Sequence, residues 1–549
     1  MFRCGLLVLT SPLNQLLSRI NPILNEAASL INETLFIHLD PEFEKNILNH
    51  VNALHPTECP VNHTSTMHPT ESLSKLVTNI YTRVGGDSQC LDVRVLLHNF
   101  TRIPNAGILP HTISNSVDVV LTDFQDVGNN FDEFLNKMFS LQKQPKIHQL
   151  SNCSKDDVSD VAGNTKSSSF KTYGHVVLGG TFDRLHNGHK ILLSESCLRA
   201  EKKITIGVTD GPMIKKKTLT ELIQPIDERC KHLRTFLSDI KPQVLYDGSL
   251  VPIVDPFGPS IVYADMSAIV VSEETKSGGN AVNKKRKEKG LNELDIHVIG
   301  LVEDCHHAEH EEVKISSSSQ RIRLLGTLLR PPLVCPDLQA KPYIIGLTGG
   351  SASGKSSICK RLGKLGAGIV DCDKLGHKAY EPGTDTFKNV VQEFGEDIVG
   401  EDGFINRKAL GAKVFSEKTN LEKLNKIVWP AIAQMAREEI EAFSSQGVKV
   451  CILDAAVLLE AGWDQMVHEI WISIVPEAEA VKRIVERDNL PEERAKQRIN
   501  SQITNQQRVD AANIVFSTLW EPDVTQKQVE RAWTGLLRRI HSEETQPKF

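Results

Sequence analysis

The stretch YIIGLTGGSASGKSSICKRLGKL, Tyr343–Leu365, decides the architecture of the region around it. Tyr343 to Thr348 form a short apolar run that ends at the Gly349–Gly350 pair, as a strand buried on both faces requires. Gly349, Gly354, Lys355 and Ser356 then satisfy G-x-x-x-x-G-K-[ST]. Such a loop turns its backbone N–H groups inward around phosphates. The following SSICKRLGKL reads as a helix, whose N-terminus adds its dipole to the same anion site. Strand, glycine loop and helix in that order predict a parallel sheet covered by helices, hence an α/β fold with a P-loop. Gly349, Gly350, Ser351, Ala352, Ser353 and Gly354 are expected to cradle the phosphates of ATP. Lys355 is expected to reach the β- and γ-phosphates, and Ser356 to ligate magnesium (Mg2+).

The acceptor side of this site is read from VDCDKLGHKAYEPG, Val370–Gly383. Asp371 and Asp373 fall at the C-terminal end of the next strand, where ligands bind in open α/β sheets. A carboxylate there takes the proton of an acceptor hydroxyl during phosphoryl transfer. The competing reading of Asp373 is a helix N-cap. Asp454 ends the strand KVCILD, either to orient the metal shell or to make a structural hydrogen bond. There is no NKxD, which a GTPase would need.

With DCDKLGH, EPG, EFGEDIVGEDGFINRKALGAKVF, DAAVLLEAGW, RIVERD and RINSQ, this region resembles the dephospho-coenzyme A kinases. The resemblance implies that Asp373 is the base toward a ribose 3′-hydroxyl and that Arg487 is a lid arginine. Trp429, before Pro430, departs from the histidine of bacterial members.

A second signature, GGTFDRLHNGHKILL, spans Gly179–Leu193. A zinc reading would recruit Cys305, His306, His307 and His310 from EDCHHAEHEE, but that segment is strongly acidic and reads as an exposed loop or helix face. Plain core histidines would leave the glycines and Thr181 unexplained. The motif resembles that of the nucleotidyltransferase superfamily. This implies His186 and His189 at a helix N-terminus beneath the α- and β-phosphates, with His189 the firmer of the two. Gly179, Gly180, Thr181 and Phe182 would complete the ATP-binding turn. ISSSSQR, Ile315–Arg321, is similar to a second motif of that superfamily and implies nucleotide contacts from Ser317, Ser318 and Arg321, with Arg323 competing. VSEET, SGG and AVNKKRKEKGL resemble the eukaryotic phosphopantetheine adenylyltransferases. The basic run from Lys284 is expected to be a solvated helix face or a patch near an anionic substrate, and Lys215 to Lys217 a solvated loop or a substrate-phosphate contact.

The chain has 549 residues, 40% hydrophobic and 24% charged, which implies several globular domains. We expect an α/β region of targeting or regulatory role over 1–150, a linker over 151–171, an adenylyltransferase domain over 172–335 and the kinase over 336–549. The net charge of −6 argues against a nucleic-acid-binding protein. Eleven cysteines without a CxxC pair fit a reducing compartment. The start, MFRCGLLVLTSPLNQLLSRI, carries Arg3 and Arg19 without an acid, like a mitochondrial targeting segment, or else is a buried strand followed by a helix. Mitochondrial and/or cytoplasmic location, with peripheral mitochondrial association, is the corresponding expectation.

Taken in order, the blocks resemble the animal bifunctional coenzyme A synthases: a Rossmann-like nucleotidyltransferase followed by a P-loop kinase. The resemblance implies 4′-phosphopantetheine, dephospho-coenzyme A and ATP as ligands and Mg2+ as cofactor. A cytidylyltransferase fused to a different kinase, or a scaffold with one decayed site, are the competing classes.

Overall fold

A computed structural model describes residues 1–41, 43, 67–87, 91–100, 110–124, 129–151, 170–332, 338, 341–416 and 418–545. Most of the expected linker, 152–169, and Pro336 lie outside the described residues. The strands form three five-stranded sheets, and every pairing is parallel.

In the first sheet, β1 (Phe2–Leu9), β2 (Ile31–Leu39), β3 (Asp92–Leu96), β4 (Val119–Thr122) and β5 (Lys146–Gln149) run in the order β3-β2-β1-β4-β5. The acid-poor start of the chain is therefore the central strand. Leu7 and Leu9 face one core while Leu6 and Val8 face the other, the period-2 alternation of a strand buried on both sides. The helix Leu13–Leu30 follows and buries Leu16, Ile20, Ile23, Leu24 and Ala27, an i, i+3, i+4 stripe.

The second sheet comprises β6 (Tyr173–Gly180), β7 (Ala200–Thr209), β8 (Leu250–Ile253), β9 (Ala268–Ser272) and β10 (Asp295–Ile299), ordered β10-β9-β6-β7-β8. Counted from its own first strand, this is the strand order of the first sheet, a likeness the two sequences do not display. The third sheet comprises β11 (Tyr343–Gly349), β12 (Gly368–Asp371), β13 (Val450–Asp454), β14 (Glu469–Ile474) and β15 (Ile514–Ser517), ordered β12-β13-β11-β14-β15.

The chain divides into two compact units, Met1–Gln320 and Arg321–Phe549, the first holding two sheets. The second unit begins upstream of the expected boundary near 335. The reason is backbone pairing: Gly326 donates to Val515 O at 2.9 Å and Leu329 to Asn513 O at 2.8 Å, so this segment lines β15. Among the described residues no helix is long and apolar enough to cross a membrane.

Candidate active sites

The end of β6 leads into a tight turn in which Phe182 and Arg184 adopt left-handed backbone angles, φ 49° and 51°. Phe182 is fully buried, and Asp183 accepts the Gln224 amide at 3.0 Å. Ser317 Oγ donates to Asp183 O at 2.9 Å, which brings the ISSSSQR segment onto the same turn. His186 then takes the N-cap position of the helix Asn187–Arg199, and His189 lies in its first turn. The two rings stack with centroids 3.8 Å apart.

Burial holds both imidazoles neutral. His189 is pushed down to about 3 by loss of solvent and then by the Lys217 ammonium. His186 falls well below the ordinary histidine value through burial, His189, Lys190 and Lys314. Nδ1 of each ring is buried without a hydrogen-bond partner. Two neutral ring nitrogens at a helix N-terminus, with ammonium groups nearby, suit an anionic ligand.

Arg229 went unnoticed in the sequence because it sits alone in an ordinary helical pattern. It is fully buried and joins the ends of β6 and β7, donating from Nη1 to Thr181 O and Thr209 O, both at 2.8 Å. Thr181 Oγ1 also bonds Thr209 Oγ1 at 2.9 Å. Gly179 and Gly180 close β6. In the run from Lys284 the expectation needs correction, since Arg286 is buried and donates to Ser260 O at 2.6 Å and Tyr263 O at 3.0 Å. Three backbone carbonyls beyond the helix, including Asn292 O, supply acceptors that the sequence does not reveal. Lys284 and Lys287 remain exposed.

The polar segment after residue 303 ties itself up locally, with His307 Nδ1 on Asp304 O at 2.7 Å and Cys305 Sγ beside His306 Nδ1 at 3.3 Å. Among the described residues no three histidine, cysteine, aspartate or glutamate side chains gather as metal ligands. Ser318 lies on the helix Ser317–Arg323, within which the two units divide. Arg321 is buried and Arg323 half-exposed.

In the second unit, β11 passes into the P-loop, and the helix Lys355–Lys364 starts at its end. Ala352 and Gly354 have φ of 60° and 88°, the left-handed turns that aim successive amides at one point. The loop is held from outside. Ser353 O accepts Ser473 Oγ at 2.6 Å and Thr518 Oγ1 at 2.9 Å, and the Ser351 amide donates to Gln502 Oε1 at 2.9 Å.

Lys355 Nζ lies 2.5 Å from Asp454 Oδ1 and 3.8 Å from Asp373 Oδ2. Burial disfavours its charge, but Asp454 and then Asp373 outweigh burial and raise its pKa above the ordinary lysine value. Asp371, not Asp373, caps the helix Cys372–Lys378, accepting the Lys374 amide at 3.0 Å. Asp373 is left 67% exposed at its side chain and lines a cavity of about 320 Å³ with His377, Tyr380, Ile432 and Trp463. Ser356 is exposed in the first turn of the P-loop helix. A hydroxyl with the carboxylate oxygens of Asp454 and Asp373 is an all-oxygen donor set, which suits a hard cation.

Two arginines distinguish themselves from the one expected. Arg487 is paired with Asp488 at 2.7 and 2.8 Å, whereas Arg483, one turn earlier, donates to Ala352 O at 3.3 Å and Thr518 O at 2.7 Å. Arg508 is buried with Nε and Nη2 unpartnered, and its Nη1 lies 3.3 Å from where a side chain on Gly350 would begin. Nη1 donates to Ile503 O at 2.6 Å, and the two buried nitrogens left without a partner beside a phosphate loop fit an anion. Trp429 packs half-buried on the apolar core that contains Ile432 and Trp463.

The folds and sites define a nucleotidyltransferase-like sheet followed by a P-loop phosphotransferase. Comparison with known families agrees: residues 3–137 match the family described as COASY N-terminal domain, 177–323 cytidylyltransferase-like, and 343–518 dephospho-CoA kinase. The dephospho-CoA kinase of Geobacter sulfurreducens is 36% identical over 190 residues, covering 35% of this chain and 96% of that protein. That of Dehalococcoides mccartyi is 38% identical over 175 residues, covering 32% and 87%. The structure of the dephospho-CoA kinase from Campylobacter jejuni aligns at 20% identity and TM-score 0.29, over 36% of this chain and 98% of that one. The chain belongs, through its carboxy-terminal part, to the dephospho-CoA kinase family, in the domain order of the bifunctional coenzyme A synthases.

Proposed function

We propose that this chain carries out the last two steps of coenzyme A synthesis at two sites. In the first, a phosphate oxygen of 4′-phosphopantetheine attacks the α-phosphorus of ATP, the bond to the bridging oxygen breaks, and pyrophosphate leaves with dephospho-coenzyme A formed. His186 and His189, held neutral, donate hydrogen bonds to oxygens that gain charge at the pentacoordinate phosphorus. Thr181 and the turn Gly179–Phe182 position the nucleotide, with Ser317, Ser318 and Arg321 as further contacts and Lys217 supplying positive charge. No enzymic nucleophile is needed, because positioning and charge stabilisation suffice.

In the second step, the ribose 3′-hydroxyl of dephospho-coenzyme A attacks the γ-phosphorus of another ATP. Asp373 takes the hydroxyl proton, the γ-phosphoryl is transferred, and ADP leaves with coenzyme A formed. Lys355 and the P-loop amides hold the phosphates, while Arg483 and Arg508 add charge and Arg487 acts as a lid arginine. Ser356 and Asp454 would hold magnesium, which would supply charge neutralisation at the transferring phosphates. The observation that carries the reading is Lys355 set between Asp454 and Asp373 at the edge of the cavity, in one chain with a buried pair of unpartnered histidine nitrogens.

Incubating the protein with 4′-phosphopantetheine, ATP and magnesium should yield coenzyme A by mass. Lys355→Ala should stall at dephospho-coenzyme A, and His189→Ala should block the first step but still phosphorylate added dephospho-coenzyme A. Equal use of CTP and ATP in the first step would favour a cytidylyltransferase and overturn the reading.

A further inference from the structure

The first sheet shares the strand order of the adenylyltransferase sheet, yet it has no equivalent of the histidine motif. Its own switch point is filled. Where β1 meets the helix Leu13–Leu30, the amides of Thr10 and Ser11 donate to the Asp123 carboxylate at 2.7 and 3.1 Å, and Thr10 Oγ1 adds a bond at 3.1 Å. A carboxylate of the chain itself thus occupies the place at which a phosphate would sit in such a sheet. Nucleotide chemistry is not what this sheet offers.

The amino-terminal region touches the catalytic helix of its neighbour at several points, through β3 and through the helix Glu71–Asp87 that carries Ser74 and Tyr81. Asn187 Nδ2 donates to Tyr81 O at 2.8 Å, one residue after the capping His186. Lys190, immediately after His189, is 5% exposed and places its ammonium 2.5 Å from Asp92 Oδ1 and 3.1 Å from Val93 O, both on β3. The Lys190 amide also makes a first-turn helical bond, to His186 O at 3.0 Å. Farther along, Ser74 Oγ donates to Glu195 Oε2 at 2.7 Å.

The ion network continues from Asp92 to Arg94 at 2.7 Å and from Arg94 to Asp239, which ends the helix Ile226–Ile240 carrying Arg229. Asp239 also accepts Ser114 N at 2.9 Å and Ser114 Oγ at 2.8 Å, and Leu97 N donates to Ile240 O at 2.7 Å. Apolar packing is continuous across the same face, with Ile80 and Tyr81 in one core with Ile191 and Leu193.

We infer that the amino-terminal sheet is a positioning platform for the adenylyl-transfer site: the Asp92–Lys190 pair and the Tyr81–Asn187 bond fix the first turn of the helix that presents His186 and His189. A buried ammonium needs its paired carboxylate to stay in place, so β3 sets where Lys190 goes. The adjacent His189 ring follows with it, and geometry at a reacting centre is sensitive to displacements of about 1 Å. Asn187 and Lys190 are positioning residues. This inference rests on the reading of His186 and His189 as the groups that meet the ATP phosphates.

The test uses the full-length protein and its two activities. Asp92→Asn and Lys190→Met should each lower kcat of adenylyl transfer by about 10- to 100-fold. KM for ATP should stay within about twofold, and phosphorylation of added dephospho-coenzyme A should be unchanged. Lys190→Arg should restore most of kcat, and the double variant should be no worse than Lys190→Met alone. Asn187→Ala, which leaves no buried charge, serves as the milder second variant and should lower kcat in the same direction. Unchanged kcat in Asp92→Asn and Asn187→Ala, losses that simply multiply in the double variant, or a rise in KM without a fall in kcat would overturn the platform. His189→Ala separates the two readings. If it keeps full adenylyl transfer the site assignment itself fails, whereas if it is inactive while the other variants are normal, the platform alone fails.

Discussion

Asp371 and Asp373, separated by one residue, are held in different roles by the two bonds that Lys374 makes to Asp371. The Lys374 amide takes the Asp371 carboxylate, which becomes the cap of its helix. Burial works against the charge of Asp371, but that amide and the Lys374 ammonium hold its pKa below the usual carboxylate value. Asp373 makes no cap, faces Lys355 at 3.8 Å and borders the cavity. Opposite responses to the same substitution are therefore expected. Asp373→Asn should lower kinase kcat by about 10²- to 10⁴-fold, the usual worth of a general base, with little change in KM for dephospho-coenzyme A. Asp371→Asn should leave that rate within a few-fold, because asparagine is as good an N-cap as aspartate. Steady-state assays of added dephospho-coenzyme A check both, and adenylyl transfer serves as the internal control.

At the scale of an element, the P-loop holds its shape against the strand ends beside it. Gly354 sits at φ 88°, and a Cβ there would lie 2.5 Å from the Thr518 side chain. Gly354→Ala should strain the loop by about 1–3 kcal/mol. The expected readout is a KM for ATP in the second step raised by about tenfold or more, with the first step unaffected. This element was legible in the sequence because its signal is local: strand, glycine loop and helix follow one another without interruption. The histidine turn after β6 was legible for the same reason. What escaped notice depends on partners far along the chain. Arg229 meets Thr181 across 48 residues and Lys190 meets Asp92 across 98, separations that only sheet topology closes. Arg483, on the same helix as Arg487, illustrates the remaining gap, since only tertiary packing turns it toward Ala352.

For the whole molecule, the uneven distribution of buried histidines and tryptophans makes the two units separable by acid. In the first sheet, His38 stacks 5.4 Å from His98, which stacks 4.2 Å from His111. His38 and His98 are buried with both ring nitrogens unpartnered, and His111 Nε2 contacts Asp239 O at 2.6 Å. Burial, followed by the His111 charge, pushes His38 down to about 3, while burial also lowers His98 and His111. The folded form thus favours neutral rings, whereas the unfolded chain takes up protons near pH ~6.5. Stability from this cluster is fully present above about pH 6.5 and is lost as pH falls toward the folded values. At pH 5, His38 alone should remove about 2 kcal/mol from the first unit. All five tryptophans lie between Trp429 and Trp533, so tryptophan fluorescence, excited selectively over tyrosine, follows the second unit alone. Hydrogen exchange of the β1 and β2 peptides follows the first. Between pH 7.5 and pH 5 those peptides should lose protection at lower urea, and His38→Leu should flatten that dependence. Equal protection at the two pH values would mean that the cluster accepts protons without opening, contrary to its burial.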